Sequence, residues 1–246
     1  MKKIILKLIL FVFCMVIAIG ALLGSTGYSM YKEALNKQSI SDKIKEIQSD
    51  ENYTKIDDMT KIYKDAVVAV EDHRFYKHSG VDFIAVARAI GRNIKERELL
   101  EGGSTITQQL AKNTYFTQSK EITRKIAEIF MAYKYENVFS KEQILELYVN
   151  TSYFGDGYYN IGEASKGYFN KKPNELNDYE ATMLAGVPNA PSIYAPTINF
   201  ELASQRQRQV LEKMVKYKYI TENEKNEILK QTDEYREYLK NKKDDN

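Results

Sequence analysis

From Leu8 to Leu23 the chain carries no charged or strongly polar side chain, and Lys2, Lys3 and Lys7 precede this run. Counted from Ile4 the segment is about twenty residues, enough for a helix to cross a bilayer core of ~30 Å. Lysines before the run and none directly after it predict a cytoplasmic N-terminus, with the rest of the chain outside. A cleaved signal peptide with a small-residue site near Ala18-Ile19-Gly20 is the competing reading, and the uncleaved anchor over 1–24 is preferred. Cys14 lies mid-run, too early for a lipid-acceptor cysteine, and reads as a plain membrane residue. Residues 25–54 are polar with weak apolar repeats, which predicts a spacer with some helix.

Beyond Thr60 the pattern is helical almost throughout. Asp82 can cap a helix in which Phe83, Val86, Ile90 and Ile94 recur at helical spacing. Ser119 can cap a longer one with Ile122, Ile126, Ile129 and Tyr133 on one face. Ser140 with Gln143 forms a capping box before "ILELYVN". Asn177 precedes "DYEATMLAGV", and Thr221 with Glu224 opens a last helix. All four prolines fall between Pro173 and Pro196, which predicts an extended, rigid crossing loop there. There is no alternating strand series and no internal repeat. The expected organisation is one mostly α domain over 55–232, followed by a polar tail over 233–246 whose end, "KNKKDDN", is frayed and solvated.

Composition narrows the function classes. A hydrophobic fraction of 43% supports a real core, and 28% charged residues is ordinary. A net charge of +2 excludes a strong whole-protein field for nucleic acid, so any basic function is local. One cysteine excludes an intramolecular disulfide and a cysteine-rich metal site. Nineteen tyrosines without a tryptophan is an unusual balance that points to no particular activity.

Four polar or glycine-rich stretches are poorly explained by packing. In "AVEDHRFYKHSG" an apolar run ends in Glu71 and Asp72, with both histidines, His73 and His78, close behind. In "EGGSTITQQLAKN" glycines precede a helix that Ser104 or Thr105 can cap, an arrangement that presents backbone N–H groups to an anion. The order of a nucleotide-binding P-loop is absent. Gln108 and Gln109 suit sugar hydroxyls or amides, and Lys112 follows about one turn later. In "KEITRKIAEIF", Lys120, Arg124 and Glu128 share a helix face; alone this reads as a surface ion-pair ladder. The fourth, "ELYVNTSYFGDGYYNIGEASKGYFNKKP", has the glycines and aromatics of a shaped loop beside a groove.

In order and spacing these stretches resemble the peptidoglycan glycosyltransferases, glycosyltransferase family 51. That family comprises the N-terminal catalytic domain of class A penicillin-binding proteins and the stand-alone transglycosylases. The motif Glu-Asp-x-x-Phe-x-x-His-x-Gly is met by Glu71, Asp72, Phe75, His78 and Gly80. Gly-Gly-Ser-Thr-Ile-Thr-Gln-Gln runs unbroken from Gly102 to Gln109, with Lys112 and Asn113 after it. Arg-Lys-x-x-Glu is Arg124, Lys125 and Glu128; "ILELYVNTSYFGDG" and the segment Leu184 to Pro191 complete the set. The resemblance covers roughly 55–220. Val149, Asn160 and Ser165 depart from leucine, glycine and alanine. No Ser-x-x-Lys transpeptidase domain follows, so the expectation is the monofunctional form.

The resemblance implies a lysozyme-like α-helical domain that joins lipid II units into β-1,4 glycan strands with loss of undecaprenyl pyrophosphate. It implies that Glu71 and Glu128 are catalytic. It also implies that Asp72, Phe75, Ser104, Thr105, Gln108, Gln109, Lys112, Asn113, Lys120, Arg124 and Lys125 bind substrate. The chemistry is consistent: a sugar hydroxyl needs a base, and a carboxylate at the end of an apolar helix is a candidate because partial burial favours its protonated form. His78 is expected to be structural. The departing pyrophosphate needs charge compensation, which Lys112, Lys120 and Arg124 can supply. For Glu128 two readings stay open, a divalent cation (Mg²⁺ or Mn²⁺) bridged to pyrophosphate, or a group that holds Lys or Arg in place. No cofactor is required by the sequence. The expected partners are lipid II, the growing strand, the bacterial membrane and other cell-wall synthesis proteins, with no nucleic acid. "FIAVARAIGRNIKERELL", with Arg88, Arg92, Lys95 and Arg97, has the composition of an interfacial helix, an ordinary amphipathic core helix being the alternative. A lysozyme-like hydrolase is the first rival, but cleaving a glycan needs a general acid, whereas the Lys and Arg set suits pyrophosphate. A scaffold that has lost activity is the second; retention of Glu71 and Glu128 argues against it.

Overall fold

The computed structural model describes residues 2–96, 102–116 and 122–244. The fold is mostly α as expected, and no strand occurs among the described residues. The helices are α1 (Lys2–Lys37), α2 (Ile40–Gln48), α3 (Lys61–Glu71), α4 (Phe83–Glu96), α5 (Ile106–Tyr115) and α6 (Ile122–Glu136). They continue with α7 (Lys141–Val149), α8 (Ile161–Phe169), α9 (Asp178–Gly186), α10 (Pro191–Tyr194), α11 (Phe200–Lys216) and α12 (Glu222–Asp244).

The core is organised around α9, which is buried on every side from Tyr179 to Gly186, the signature of a central helix. α3 and α11 pack against it and against each other, so the run Ala66 to Val70 is interior on all faces. α5 packs against both α6 and α7. The expected caps form: Asp82 Oδ1 accepts from the N–H of Ile84 and Ala85, and Ser140 with Gln143, Asn177 with Glu180 and Thr221 with Glu224 close reciprocal bonds. Ser119 lies outside the described residues. Asn160, one of the departures from the family pattern, caps α8 by accepting from Glu163 N–H at 2.7 Å. Ser165, another, donates to Lys171 O at 2.7 Å.

Three segments differ from expectation. Residues 25–37 continue α1 without a break, and Tyr31, Ala34 and Leu35 recur at helical spacing and pack on the core. α2 adds buried Ile44 to the same core, so 25–54 lies on the domain instead of spacing it away. The prolines do not build an extended loop. Pro173 and Pro191 each open a short helical turn, where a missing N–H costs nothing, and Pro188 sits in the turn Val187–Asn189. Finally, α12 runs to Asp244, through lysine- and glutamate-rich sequence with no glycine or proline to stop it.

α1 is long and apolar enough to cross a membrane, with its most apolar stretch wholly unburied by the rest of the chain. α4 leaves Phe83, Ile84, Ile90 and Ile94 exposed on the domain surface, which is unlike a core helix.

Candidate active site

The C-terminus of α3 delivers Glu71 into a cleft of about 500 Å³ whose walls come from α3, α4, α5, α6 and α11. Asp72 turns away from solvent at this helix end. Its Oδ2 accepts from His78 Nε2 at 2.8 Å and from the backbone N–H of Ile106 at 3.1 Å. Thr105 Oγ1 donates to Gly80 O at 2.6 Å while accepting from Gln108 N–H, the cap of α5. Gly80 takes φ +85°, which a side chain would strain. These bonds staple the stretch after α3 to the start of α5, so Glu71 is aimed by two motifs at once.

Glu71 is mostly buried, and its two oxygens differ. Oε2 accepts from Gln109 Nε2 at 2.8 Å; Oε1 has no hydrogen bond and faces Arg206 Nη2 at 3.7 Å. The surroundings of this acid are therefore not only apolar, as its place at the end of the Ala66–Val70 run suggests. Arg206 is itself fixed by Gly186 O and Gln209 Oε1.

Across the cleft lies a second charged group on α5 and α6. Arg124 Nη1 donates to Glu128 Oε1, and Lys125 Nζ donates to Glu128 Oε2 at 2.8 Å and to Ser104 Oγ at 2.7 Å. Glu128 is 1% exposed. Burial pushes the Lys112 ammonium below the ordinary lysine range against the opposing pull of Glu128. At the far end, the His73 ring stacks on Tyr217 with centroids 4.0 Å apart. Burial lowers the pKa of His73, and the Arg88 charge adds to the effect. Lys213 Nζ reaches Val70 O at 2.8 Å beside it. Burial disfavours the charged Asp82, but backbone N–H of Ala85 and the Arg74 guanidinium outweigh it and hold this carboxyl low.

Of the residues expected at the site, Glu71, Asp72, Ser104, Thr105, Gln108, Gln109, Lys112, Lys125 and Glu128 line this cleft. Asp72, Thr105 and Gln108 spend polar atoms on the staple and the cap, so their part is architectural. Arg124 stands behind Glu128. Phe75 is fully buried, with the Lys141 ammonium 4.4 Å over its ring, which makes it core instead of a substrate contact. Asn113 is exposed and faces a different hollow, beside Asn150 and Tyr159. Lys120 lies outside the described residues. Not expected from the motifs are Arg206, Gln209, Lys213 and Tyr217. A signal for Arg206 exists: it falls in phase with buried Ala203, Val210 and Met214 on α11, a charge where the stripe should be apolar.

The donor set does not fit a protein-held divalent cation. Glu128 is the carboxylate in question, and both its oxygens already accept from cations. Among the described residues no group of three or more His, Cys, Asp or Glu converges on one point. The arrangement matches the other reading of Glu128, a group that holds Arg124 and Lys125.

Residues 37–215 match the family described as Transglycosylase. Penicillin-binding protein 1A of Neisseria flavescens is 47% identical over 189 residues, which is 77% of this chain and 24% of that protein. Its counterpart in Neisseria gonorrhoeae is 44% identical over 188 residues, 76% of this chain and 24% of its own length. The chain thus spans about a quarter of these relatives. A Cupriavidus necator protein, whose name describes it as a candidate transglycosylase, is 42% identical over 173 residues, 70% of this chain and 74% of its own. With the family's domain matched over 37–215 and relatives above 40% identity across it, the chain belongs to the transglycosylase family of peptidoglycan glycosyltransferases.

Proposed function

We propose that this chain polymerises lipid II into β-1,4-linked glycan strands by an inverting displacement that releases undecaprenyl pyrophosphate, with Glu71 as general base. One observation carries the reading: a single cleft holds an acid with one unbonded oxygen on one wall and a set of fixed cations on the other. Glu71 Oε1 takes the proton of the acceptor sugar hydroxyl as that oxygen bonds to the anomeric carbon of the donor. The bond from that carbon to the pyrophosphate breaks with its electron pair, and the leaving group departs as an anion. Gln109 holds Oε2 so that Oε1 faces the acceptor. Lys112 and Lys125 face the departing charge, where fixed cations shielded from water act more strongly than in solution. Attack opposite the α-linked pyrophosphate gives the β product. The acid–base step typically contributes about 10²–10⁴-fold.

The substrate's lipid tail requires a cleft that opens at the bilayer. α1 is the anchor, with its lysine-flanked N-terminus in the cytoplasm and the domain outside. The exposed apolar side chains of α4 enter the interface, with Arg88 and Arg92 on the same helix suited to anionic headgroups. Incubating the purified chain with labelled lipid II and digesting the product with muramidase tests the activity. Muramidase-sensitive polymer is the expected result; unchanged lipid II rejects the reading. A reporter fused after Asn246 that works only in the cytoplasm would reject the orientation.

A further inference from the structure

The membrane helix does not stop where its apolar run stops. From Leu23, α1 continues to Lys37 and lies along α6, the helix that carries Arg124, Lys125 and Glu128. Gly27, which is buried, faces α6 directly. A Cβ there would stand 2.6 Å from Ile126 Cγ2, 2.7 Å from Ile126 Cβ and 3.0 Å from Thr123 O. A Cβ at Gly20 or Gly24 on the same helix would meet nothing within 4 Å. Beside Gly27, the rings of Tyr28 and Tyr31 pack on Phe130 with centroids 5.2 Å and 5.9 Å away.

The position of this contact is informative. At ~1.5 Å per residue, Gly27 lies about 6 Å beyond the end of the apolar run, at the level of lipid headgroups. Thr123 and Ile126, which touch it, bracket Arg124 and Lys125 in sequence. The placement of those cations relative to the membrane helix therefore depends on how closely α1 and α6 approach, and Gly27 permits that approach.

We propose that Gly27 is a positioning residue that docks α6 onto the membrane helix and thereby holds the Arg124–Lys125–Glu128 set at the depth of a lipid-linked pyrophosphate. This rests on the lipid II reading above. A larger side chain would push α6 away from α1 and leave the cations out of register with a substrate anchored in the same bilayer. A short-chain substrate in solution, free to choose its own height, would not sense the change.

The test uses the full chain in phosphatidylglycerol-containing vesicles, assayed with full-length lipid II in the bilayer and with a short-chain, water-soluble lipid II analogue. Gly27→Leu is expected to lower use of bilayer-embedded lipid II at least tenfold, mainly through KM, with use of the soluble analogue within about twofold of wild type. Gly24→Leu is expected to leave both unchanged. Gly27→Ala combined with Ile126→Gly, which moves the small residue across the interface, is expected to restore use of the embedded substrate relative to Gly27→Ala alone. Equal loss on both substrates makes Gly27 a plain packing residue and overturns the proposal, as does no loss on either. A wild-type chain that polymerises neither substrate rejects the lipid II reading itself and the proposal with it.

Discussion

Gln109 donates its side-chain amide to Glu71 Oε2 at 2.8 Å, and the other oxygen of that carboxylate accepts no hydrogen bond. The pair leaves the two oxygens of one carboxylate unlike: one is held and the other has no partner, which is what the proposed base requires. Glu71→Gln keeps shape but cannot accept the proton, and should lose strand synthesis by about 10² or more while still binding a phosphoglycolipid inhibitor. Gln109→Ala should lower kcat by about tenfold, equivalent to ~1.4 kcal/mol, with the acid present but unheld. Because Gln109 acts through Glu71, the double variant should be no slower than Glu71→Gln alone. Multiplied losses in the double variant would mean that Gln109 contacts the sugars itself.

Lys112 is a half-buried cation whose charged form the fold disfavours. That unfavourable contribution is fully present below its folded pKa. It fades as pH rises toward the ordinary lysine value of 10.5. Lys112→Met should therefore raise Tm near neutral pH, and the gain should vanish in strongly alkaline buffer. Polymerisation by the same variant should fall by about 2–4 kcal/mol of transition-state stabilisation, roughly 30- to 1000-fold. A variant that melts lower and polymerises normally would return Lys112 to a structural role.

How much of this was legible beforehand depends on whether a residue's role was local. The caps at Asp82, Ser140 and Asn177 are settled by side chains within a few positions, and they form as the sequence predicts. Glu71 and Lys125 stand in motifs whose order survives any fold, and they meet in one cleft. Arg206 could not be paired with Glu71 from spacing, because the contact joins α3 to α11 across the core. The segment after Leu23 misled for a similar reason. Its polar residues face solvent, while a sparse stripe of Gly27, Tyr31, Ala34 and Leu35 finds its partner about a hundred residues away on α6 and in the core. Phe75 was misjudged in the opposite direction, since membership of a motif says nothing about whether a side chain faces ligand or interior.

Phe75 is 0% exposed, against Tyr76, His78 and the Lys141 ammonium. Phe75→Ala should cost about 3–5 kcal/mol of stability through the cavity it leaves. At ~2–4 °C per kcal/mol for a domain of this size, Tm should fall by roughly 6–20 °C. Phe75→Leu, which fills most of the space, should keep the wild-type KM for lipid II when assayed below its melting point. A KM raised tenfold in a well-folded Phe75→Leu protein would restore this residue to the substrate site.

Glu128 offers the sharpest separation of two chemistries. With 1% exposure and both oxygens bonded to Arg124 and Lys125, it is a buried charge compensated by two cations of α6. Removing one member of a buried ion pair typically costs about 3–5 kcal/mol because the remaining charge is left uncompensated. Glu128→Gln should therefore melt roughly 6–20 °C lower, and magnesium or manganese should not restore it. Wild-type Tm should be the same with chelator and with either metal, since both carboxylate oxygens are already engaged by Arg124 and Lys125. Glu128→Asp keeps the charge on a shorter arm, so it should fall between wild type and Glu128→Gln in both Tm and rate. The outcome that would sink this account is a wild-type Tm that climbs with manganese while Glu128→Gln loses that response without losing stability in chelator. Glu128 would then be a metal ligand, and Arg124 and Lys125 its neighbours instead of its charges to hold.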